Sequence, residues 1–362
     1  MAPPVTRARA NWAVEQATGL PEFWALVSKY RGIVGTCQLL RVCKASHERG
    51  MEHLRTLPGL VVCGGVTGEE LVFDALRLDL ATMRWEPMAS LVTARYEHAC
   101  CAVRGALVQL GGRTAEDDVT SSVEMLSSSE EGGAFVDLPP LSCGGISAAA
   151  AIAVDESDSA AGQALLIGGA DEDFDPVSTV QLVDLATGAC APQNNLLHPR
   201  TSAAAGRLPD GRIVCAGGFG GDGSSAAVWG PPEQGAADAA WGWRELPAMS
   251  AGRAGCCGCV MSDGRFAVLG GRNNLGGVSP SVPTSSCEAL VVDGDAHWEP
   301  PPPMHDARSF FACGAVAGCV IVAGGEGRKS AEVYDEELNR WLRLPCDLPY
   351  EAGLSFMGSA VL

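Results

Sequence analysis

The sequence lacks a long hydrophobic run, since nowhere do 18 or more uncharged apolar residues follow one another. A helix that spans a membrane needs about 20 such residues. The N-terminal stretch MAPPVTRARANW also lacks the apolar segment of a secretory signal. We therefore expect no membrane among the partners of this protein.

Basic residues are scarce: 25 Lys and Arg stand against 43 Asp and Glu, which gives a net charge of −18. Residues 1–56 carry eight basic and four acidic side chains, and the remainder carries 17 and 39. Nucleic-acid binding depends on neutralising phosphates with Lys and Arg. The composition therefore excludes general nucleic-acid binding and favours basic partners.

Motifs of common enzymes are absent as well. The chain contains no G-x-x-x-x-G-K-[ST] phosphate loop, no H-E-x-x-H and no G-x-S-x-G. Its six histidines are scattered, and it has only four tyrosines. We expect a protein without enzymatic activity, cofactor or metal site.

Cysteine, in contrast, is abundant, with 15 residues. Most lie in apolar segments, where a free thiol behaves as a small hydrophobic group. The segment Cys256–Cys259 (CCGC) has the C-x-x-C spacing of zinc and redox sites, but no second pair supplies the four ligands of a structural zinc site. Reduced core cysteines predict a cytoplasmic or nuclear protein.

The most informative pattern is a short apolar run that ends in Gly-Gly and occurs six times. The copies are Val61–Gly65, Val108–Gly112, Leu165–Gly169, Val214–Gly218, Ala267–Gly271 and Ile321–Gly325. They recur about every 50 residues, a period typical of solenoids and propellers. Each unit offers three or four short strands separated by turn residues. Such a small sheet must pack against its neighbours to bury both faces.

A second marker connects consecutive units. A large or apolar side chain in each unit is followed, ten residues later, by the predicted start of the next. The six pairs are Trp85 and Arg95, Phe135 and Gly145, Cys190 and Arg200, Trp243 and Arg253, Trp298 and Arg308, and Trp341 and Glu351. The interval from Gly-Gly to the first member varies from 17 to 28 residues. A fixed interval beside a variable one indicates one rigid segment and one segment that carries loops.

These units resemble kelch repeats, in which a Gly-Gly after a strand is followed by a Tyr and then a Trp. The best copy is Val322–Trp341, which contains both glycines, Tyr334 and Trp341. The resemblance spans about residues 58–362 and implies an all-β fold, a six-bladed kelch β-propeller. The Trp is expected to fill the gap between adjacent blades, where such a ring buries about 150–250 Å².

The two ends of this region predict how the propeller closes. The first unit begins at its Gly-Gly strand, Leu60–Gly65, with no clear strand before it. The chain ends in Leu354–Leu362, a first-strand pattern without a Gly-Gly after it. We expect the C-terminal strand to complete the first blade, which would leave no open sheet edge.

Ahead of the propeller, the pattern changes from strand to helix. Residues 1–10 are expected to be disordered, and residues 11–57 to form a small helical segment with apolar residues at near-helical spacing. Two landmarks in it, Leu20-Pro21 and Leu39–Lys44 (LLRVCK), resemble those of an F-box.

The F-box resemblance implies an adaptor role. Apolar side chains of the helical segment would bind a Skp-type linker of a cullin–RING ubiquitin ligase, while the propeller holds the substrate protein. The residues implied in docking are Leu20, Pro21, Trp24, Leu39, Leu40 and Val42. The alternative is a helical cap that only covers the first blade.

The kelch resemblance also draws attention to one side of the disc. In an up-and-down blade, the loops after Gly-Gly and the starts of the first strands share an edge, which we call the Gly-Gly face. The predicted partner-binding residues there are Arg95, Tyr96, Arg200, Arg253, Arg308 and Phe310. Four guanidinium groups would bind acidic side chains or phosphate in a bidentate manner. The kelch resemblance implies acidic partner segments, which arginines at this place bind in related kelch propellers. The alternative is that each arginine pairs within the propeller.

One loop on this face has the opening of a calcium site. Asp171, Asp173 and Asp175 form a D-x-D-x-D pattern, but Pro176 interrupts it and no Gly follows at the required turn. We expect a solvated acidic loop.

Three functions remain open. The first is an F-box/kelch substrate adaptor, and the second is a plain kelch interaction scaffold. The third is a propeller enzyme of the sugar epimerase or oxidase type. Its candidate general base is His98, two residues after Tyr96.

Overall fold

The computed structural model describes residues 16, 18, 20–42, 44–126, 133–154, 159–231, 241–273, 281–292 and 294–362. The stretch 1–10, for which disorder is expected, lies outside these residues. The described ranges contain two helices followed by 26 strands, numbered below in chain order. Neither of these helices has both the length and the apolar character needed to cross a membrane.

The helical segment consists of α1 (Pro21–Leu39) and α2 (Lys44–Thr56). Helix α1 begins at Pro21, which suits the first helical turn because its missing N–H would have no partner there. The helix is interrupted at Gly32, whose backbone is left-handed with φ 60°. A Cβ on Gly32 would lie 2.9 Å from the Cys319 sulfur of the propeller, so the kink also permits close approach to the sheet.

Six four-stranded antiparallel sheets form the blades of the propeller. From the inner to the outer strand, blade 1 contains β26 (Gly358–Val361), β1 (Leu60–Cys63), β4 (Ala75–Asp79) and β5 (Arg84–Pro87); blade 2 contains β6 (Ala99–Val103), β7 (Ala106–Leu110), β8 (Val123–Leu126) and β9 (Phe135–Leu138); blade 3 contains β10 (Ala150–Val154), β11 (Gln163–Ile167), β12 (Val180–Asp184) and β13 (Cys190–Pro192). Blade 4 contains β14 (Ala204–Arg207), β15 (Ile213–Ala216), β16 (Ala226–Gly230) and β17 (Gly242–Leu246); blade 5 contains β18 (Cys257–Val260), β19 (Phe266–Leu269), β20 (Cys287–Val291) and β21 (His297–Glu299); blade 6 contains β22 (Ala312–Val316), β23 (Cys319–Ala323), β24 (Ala331–Asp335) and β25 (Arg340–Arg343). A short hairpin, β2 (Val66–Thr67) with β3 (Glu70–Leu71), follows the first Gly-Gly.

The predicted closure is confirmed. The C-terminal strand β26 pairs antiparallel with β1, from Leu60 opposite Val361 to Cys63 opposite Gly358. Gly59 and Leu362 extend the ladder by exchanging two backbone hydrogen bonds of 2.7 and 3.0 Å. Both ends of the propeller region therefore share one sheet, and the inner edge of β1 is covered by β26.

The hydrophobic core is divided among the six interfaces between neighbouring blades. Each cluster combines apolar side chains from two adjacent sheets, such as Val108 of blade 2 with Leu166 of blade 3. The cluster between blades 6 and 1 also contains Ile33 of α1 and Leu54 of α2. The helical segment is therefore part of the propeller core, as the cap interpretation expects.

The helical segment lies on the side of the disc opposite the Gly-Gly face. Strand β23 begins at Cys319 and runs towards Gly324, so Cys319 marks the far end of the blade. Gly32 contacts Cys319, and Arg31 forms a 2.7 Å ion pair with Glu337 in the turn between β24 and β25. The Gly-Gly face remains uncovered by the described helices.

The Gly-Gly pairs form the joints between blades. In every pair, both glycines have positive φ. The N–H of the second glycine donates to a backbone carbonyl at the start of the next blade, with N–O distances of 2.8–2.9 Å; the acceptors, in chain order, are Arg95, Ile146, Arg200, Arg253, Arg308 and Leu354. A Cβ on the first glycine would approach the same carbonyl, for example to 2.2 Å in the case of Gly111 and Ile146. Only glycine satisfies both requirements.

These hydrogen bonds correct part of the spacing prediction. The residues equivalent to Arg95 are Ile146 in blade 3 and Leu354 in blade 1, whereas the constant interval of ten predicted Gly145 and Glu351. The connections that enter these two blades are longer than the other four, by one and three residues. The interval of ten residues therefore holds for the other four connections and not for these two.

The tryptophans lie between blades as predicted. Trp243 and Trp341 are buried, and Trp85 and Trp298 are half-buried. Each indole N–H donates to a carbonyl of the loop that leads into its own blade; the acceptors, for the four rings in chain order, are Cys346, Asn194, Pro247 and Pro302, at 2.7–3.4 Å. The ring thus fills the gap and also fixes the incoming loop.

Candidate functional site

The four predicted partner-binding arginines lie in the interior of the propeller. Arg95, Arg200, Arg253 and Arg308 are only 0–3% exposed. In each, Nη1 donates to the carbonyl of the first glycine of its own blade, at 2.7–3.0 Å. The prediction that these side chains bind a partner is therefore wrong. Each arginine instead forms its hydrogen bonds within the propeller, as the alternative stated.

In three blades the arginine also pairs with a buried glutamate on the third strand. Nη2 lies 2.5 Å from Glu124, 2.7 Å from Glu288 and 2.8 Å from Glu332. Each glutamate also accepts backbone N–H bonds from the loop that enters the blade, as Glu332 does from His305 and Asp306. These charges are fully committed to holding the loop against the blade.

The ion pair between Arg308 and Glu332 changes the pKa of Glu332. Burial acts to raise its pKa, but the hydrogen bonds from Arg308 and from the His305 N–H outweigh burial, and the net result is a lowered pKa. The carboxylate therefore stays ionised inside the protein, which is what a structural ion pair requires.

The mouth of the propeller axis is built from a ring of backbone hydrogen bonds. Each blade contributes one residue, two positions after the equivalent of Arg95, whose backbone is left-handed. Its N–H donates to the carbonyl of the equivalent residue in the neighbouring blade. We call these six residues the axial ring: Glu97, Ala148, Ser202, Gly255, Phe310 and Phe356. The six N–O distances are 2.5–3.0 Å, and the last bond, from Glu97 to Phe356, closes the circle. Five of the six are not glycine, and such strained backbones often mark functional sites.

An aromatic cluster covers one side of this mouth. Phe310 and Phe356 stack with their ring centroids 4.1 Å apart, and Tyr96 meets Phe356 edge to face at 6.3 Å. Phe310 also covers Gly255, since a Cβ there would lie 2.7 Å from the Phe310 ring. The structure therefore brings the predicted Tyr96 and Phe310 together and adds Phe356.

Phe356 could have been found from the sequence. It stands two residues after Leu354, as Phe310 stands two residues after Arg308. Alignment of blade 1 on Glu351 hides this equivalence, because the connection into blade 1 is three residues longer.

Beside the aromatic cluster, two loops of blades 2 and 3 carry mainly acidic side chains. We call residues 113–118 and 170–175 the acidic loops; together they contain Glu116, Asp117, Asp118, Asp171, Glu172, Asp173 and Asp175. The Arg113 guanidinium lies between the rings of Tyr96 and Phe174, 5.3 and 4.3 Å from their centroids, and pairs with Asp117 at 2.5 Å. The charge at this edge is negative, opposite to the predicted basic mouth.

Two ionisable groups at the mouth have raised pKa values. Burial raises the pKa of Tyr96, and the hydrogen bond that it donates to Asp117 raises it further. Burial also raises the pKa of Glu97, against the opposing effect of Arg113. Tyr96 thus acts at neutral pH as a hydrogen-bond donor with an apolar ring.

Below the axial ring lies a cavity of about 270 Å³. Small residues of the inner strands form most of its wall, such as Ala150, Ala204 and Gly258. His98 also lines it, and burial together with the Arg95 charge lowers the His98 pKa to about 3. The ring is therefore neutral, and its Nε2 lies 4.0 Å from the Cys63 sulfur.

The C-x-x-C segment does not form a chelating pair. Cys256 packs in the core between blades 4 and 5, whereas Cys259 packs between blades 5 and 6. Cys257 and Cys259 instead approach Cys313, and their hydrogen bonds lower the Cys313 pKa. Within the described ranges, no cluster of three or more His, Cys, Asp and Glu side chains is arranged to hold a metal ion.

The D-x-D-x-D loop is held by its own backbone. The Asp171 carboxylate accepts the N–H groups of Asp173 and Asp175, at 3.1 and 3.0 Å. These bonds use one carboxylate to order an exposed turn, as expected for a solvated loop.

The F-box-like residues divide into exposed and buried sets. Leu20 and Val42 are 56% and 54% exposed, and Pro21 is exposed too. Leu39 and Leu40 are half-buried. Trp24 is only 1% exposed and donates its indole N–H to Thr18, so the prediction that it docks a partner is wrong. Leu26, 54% exposed, is an additional apolar surface residue that the motif did not indicate.

Comparison with known proteins gives partial matches. This chain is 33% identical over 138 residues to the F-box/kelch-repeat protein At1g16250 from Arabidopsis thaliana, which is 32% of this chain and 34% of that protein. It is 37% identical over 93 residues to the F-box/kelch-repeat protein At2g44130 from the same plant, 24% and 22% of the two chains. It is 32% identical over 112 residues to human Kelch-like protein 34, 27% and 17% of the two chains.

The chain thus spans about a third or less of the length of these relatives. No family model matches it. Among solved structures, YjhT superposes with a TM-score of 0.60 at 13% identity, covering 80% of this chain and 98% of YjhT, which shows the fold alone. The protein is a six-bladed β-propeller with a helical N-terminal segment and is similar in sequence to F-box/kelch-repeat proteins.

Proposed function

We propose that this protein is a substrate adaptor of the F-box/kelch type, which presents a bound protein to a cullin–RING ubiquitin ligase. The observation that carries the proposal is the placement of its two parts. The helical segment exposes Leu20, Leu26 and Val42 on one side of the disc, and the aromatic cluster and acidic loops lie on the other. One side is thus available for a linker and the other for a substrate. The chain itself would do no chemistry, since ligation is promoted by proximity.

The proposed substrate site is the aromatic cluster with the adjacent acidic loops. Aromatic rings supply large, rigid contact areas and are enriched among residues that dominate binding energy. The surrounding carboxylates favour basic side chains and disfavour acidic ones. A substrate segment with Arg or Lys next to an apolar residue therefore fits this surface better than the acidic segment that the sequence suggested.

The linker proposal is tested by binding to a purified Skp-type linker. Leu20→Asp combined with Val42→Asp should abolish binding, because both side chains are exposed and a charge would be buried at the contact. Val136→Asp, on the exposed outer strand of blade 2, is the matched control and should bind normally. Absence of binding by the unaltered protein, or equal binding by all three proteins, would contradict the adaptor function.

A plain kelch scaffold is the second candidate, because Ile33 and Leu54 belong to the core between blades 6 and 1. A helical segment built into the propeller has a structural reason to exist without a linker. The scaffold would retain the same substrate surface. Affinity purification with the unaltered protein and with Phe310→Ala plus Phe356→Ala tests that surface: partners that bind there should be lost from the variant, and an unchanged set of partners would refute the site.

A further inference from the structure

One buried arginine lacks the partner that its equivalents have. Arg200 occupies in blade 4 the position of Arg95, Arg253 and Arg308, and it is 3% exposed. Its Nη1 donates to the carbonyls of Gly217 and Ser225, and its Nη2 to the Ser225 hydroxyl, at 2.9–3.1 Å. None of the carboxylates in the described ranges forms a salt bridge with it.

The missing partner is identified by strand register. Glu124, Glu288 and Glu332 all stand opposite the residue two positions before the first glycine of their blade. In blade 4 the residue in that register is Ala227, opposite Cys215. The side chain that would hold the carboxylate is therefore truncated to a methyl group.

The two blades without this arginine have no glutamate either. At the positions of the arginine and the glutamate, blade 1 has Leu354 and Leu76, and blade 3 has Ile146 and Gln181. The chain therefore loses both charges together in those blades. Blade 4 keeps the positive charge without the glutamate, although a buried charge that lacks an ion-pair partner is costly.

The other groups that bind the glutamate are also free in blade 4. In blades 2 and 6, the carboxylate accepts N–H groups three and two residues before the arginine. The equivalent N–H groups belong to Leu197 and His198, and neither makes a hydrogen bond within the described chain. Both residues line a cleft of about 280 Å³ together with Arg200 and Ala227.

We infer that this cleft is a binding site for an external carboxylate, which takes the place of the missing glutamate. The ligand would accept hydrogen bonds from Arg200 Nη2 and from the Leu197 and His198 backbone, as Glu332 does in blade 6. An acidic side chain or C-terminus of a bound polypeptide supplies such a group, and so does a small free acid. The site lies on the Gly-Gly face but does not depend on the adaptor proposal.

Two neighbouring carboxylates restrict the ligand further. Asp222 lines the cleft but is committed to its own turn, accepting the N–H and hydroxyl of Ser224 at 2.9 and 2.8 Å. Glu245 lies 3.6 Å from His198. Their negative charges disfavour a dianion, so a single carboxylate is favoured over phosphate.

The first test compares three full-length proteins by thermal unfolding in sodium propionate and in sodium chloride of equal ionic strength. Propionate should raise the Tm of the unaltered protein in a saturable way, by about 2 °C or more. Ala227→Glu should raise the Tm in chloride and abolish the propionate response, because the carboxylate is then internal. Ala227→Gln, its neutral control, should give no comparable gain in chloride.

Phosphate should give no response in any of these proteins. An Ala227→Glu variant no more stable than Ala227→Gln, or one that responds to propionate like the unaltered protein, would overturn the proposal. So would the absence of a saturable propionate effect on the unaltered protein.

The second test distinguishes the sources of the carboxylate. A blocked Gly-Glu-Gly tripeptide and its Gly-Gln-Gly counterpart are titrated onto the protein while the Ala227 methyl group is followed by NMR. Binding of the Glu peptide at least tenfold tighter than propionate assigns the site to a polypeptide ligand, and equal affinity assigns it to free acids. Equal shifts with the Glu and Gln peptides would contradict carboxylate recognition, whereas the adaptor proposal would stand or fall on the linker experiment.

Discussion

Single residues at the blade joints determine whether the propeller closes. The first glycine of each Gly-Gly pair has two separate reasons to be glycine: its left-handed backbone and its contact with the next blade's carbonyl. Gly111 has both, with φ 63° and a carbonyl oxygen 2.2 Å from the position of a Cβ. Gly105, in the turn between β6 and β7, has φ 78° but open space around it.

This contrast allows the two effects to be separated. Gly105→Ala should lower the free energy of unfolding by about 1–2 kcal/mol, the cost of a left-handed backbone for a residue with a Cβ. Gly111→Ala should cost substantially more, because the joint with blade 3 must also move apart. Urea denaturation of the two variants measures the difference, and equal losses would show that the contact at the joint is unimportant.

His98 gives the protein a specific response to acid. Its folded pKa of about 3 lies below the ordinary value of 6.5, so the unfolded chain binds a proton that the folded protein excludes. Its contribution to stability is complete above pH 6.5 and is lost as the pH falls towards 3, by about 1.4 kcal/mol for each pH unit.

Denaturation measured from pH 7 to pH 4 tests this response. The His98→Gln variant should lose less stability over this range than the unaltered protein, because its unfolded chain no longer gains a proton at this position. His47→Gln, on the exposed surface of α2, is the control and should keep the slope of the unaltered protein. Identical slopes for all three proteins would refute the assignment.

Elements are held together by contacts whose partners are distant in the sequence. The Gly-Gly pairs could be read directly as turn positions because glycine is required locally by the backbone. The arginines could not be assigned in this way, since Arg95 meets Glu124 only after the chain has passed through two further strands. Their side-chain direction depends on the register of the blade, which the sequence alone left open.

The same reasoning explains the outcome for the F-box-like segment. Leu20 and Val42 flank the two ends of α1 and are exposed, whereas Trp24 lies where α1 faces Gly50 of α2. A motif identifies the helix but not which side of it the rest of the chain covers. The contacts of Trp24 with Gly50 and Thr18 are made by residues outside the two landmarks.

The buried ion pair of blade 6 yields a prediction at the scale of an element. Arg308→Leu should lower the free energy of unfolding by about 3–5 kcal/mol, because Glu332 is left buried without its cation. Adding Glu332→Leu copies the Leu354 and Leu76 pair of blade 1 and should recover part of the loss. Chemical denaturation of the single and double variants measures this coupling, and an additive loss would contradict it.

At the scale of the whole molecule, stability depends on the seam between β26 and β1. Gly59 and Leu362 exchange two backbone hydrogen bonds. In an antiparallel ladder, hydrogen-bonded pairs alternate with pairs that are not hydrogen-bonded. Val61 and Ala360 are therefore the next hydrogen-bonded pair, whereas Ser359, opposite Val62, directs its N–H away from β1. Ala360→Pro should therefore open the seam and cause aggregation through the freed edge of β1.

Ser359→Pro is the matched variant, because it removes an N–H that the seam does not use. Size-exclusion chromatography and thermal unfolding distinguish the two proteins. The Ala360→Pro variant should aggregate and lose its cooperative transition, whereas the Ser359→Pro variant should remain monodisperse. Equal behaviour would mean that the seam does not control closure.

The axial ring has a consequence for how the molecule is made. Its sixth member, Phe356, follows Glu97 by 259 residues in the chain, yet it bonds to both Glu97 and Phe310. The circle therefore cannot form on a nascent or clipped chain that stops before Phe356, and neither can the stacked pair of phenylalanines at the mouth. Recognition through this surface is thereby reserved for molecules in which all six blades have been synthesised.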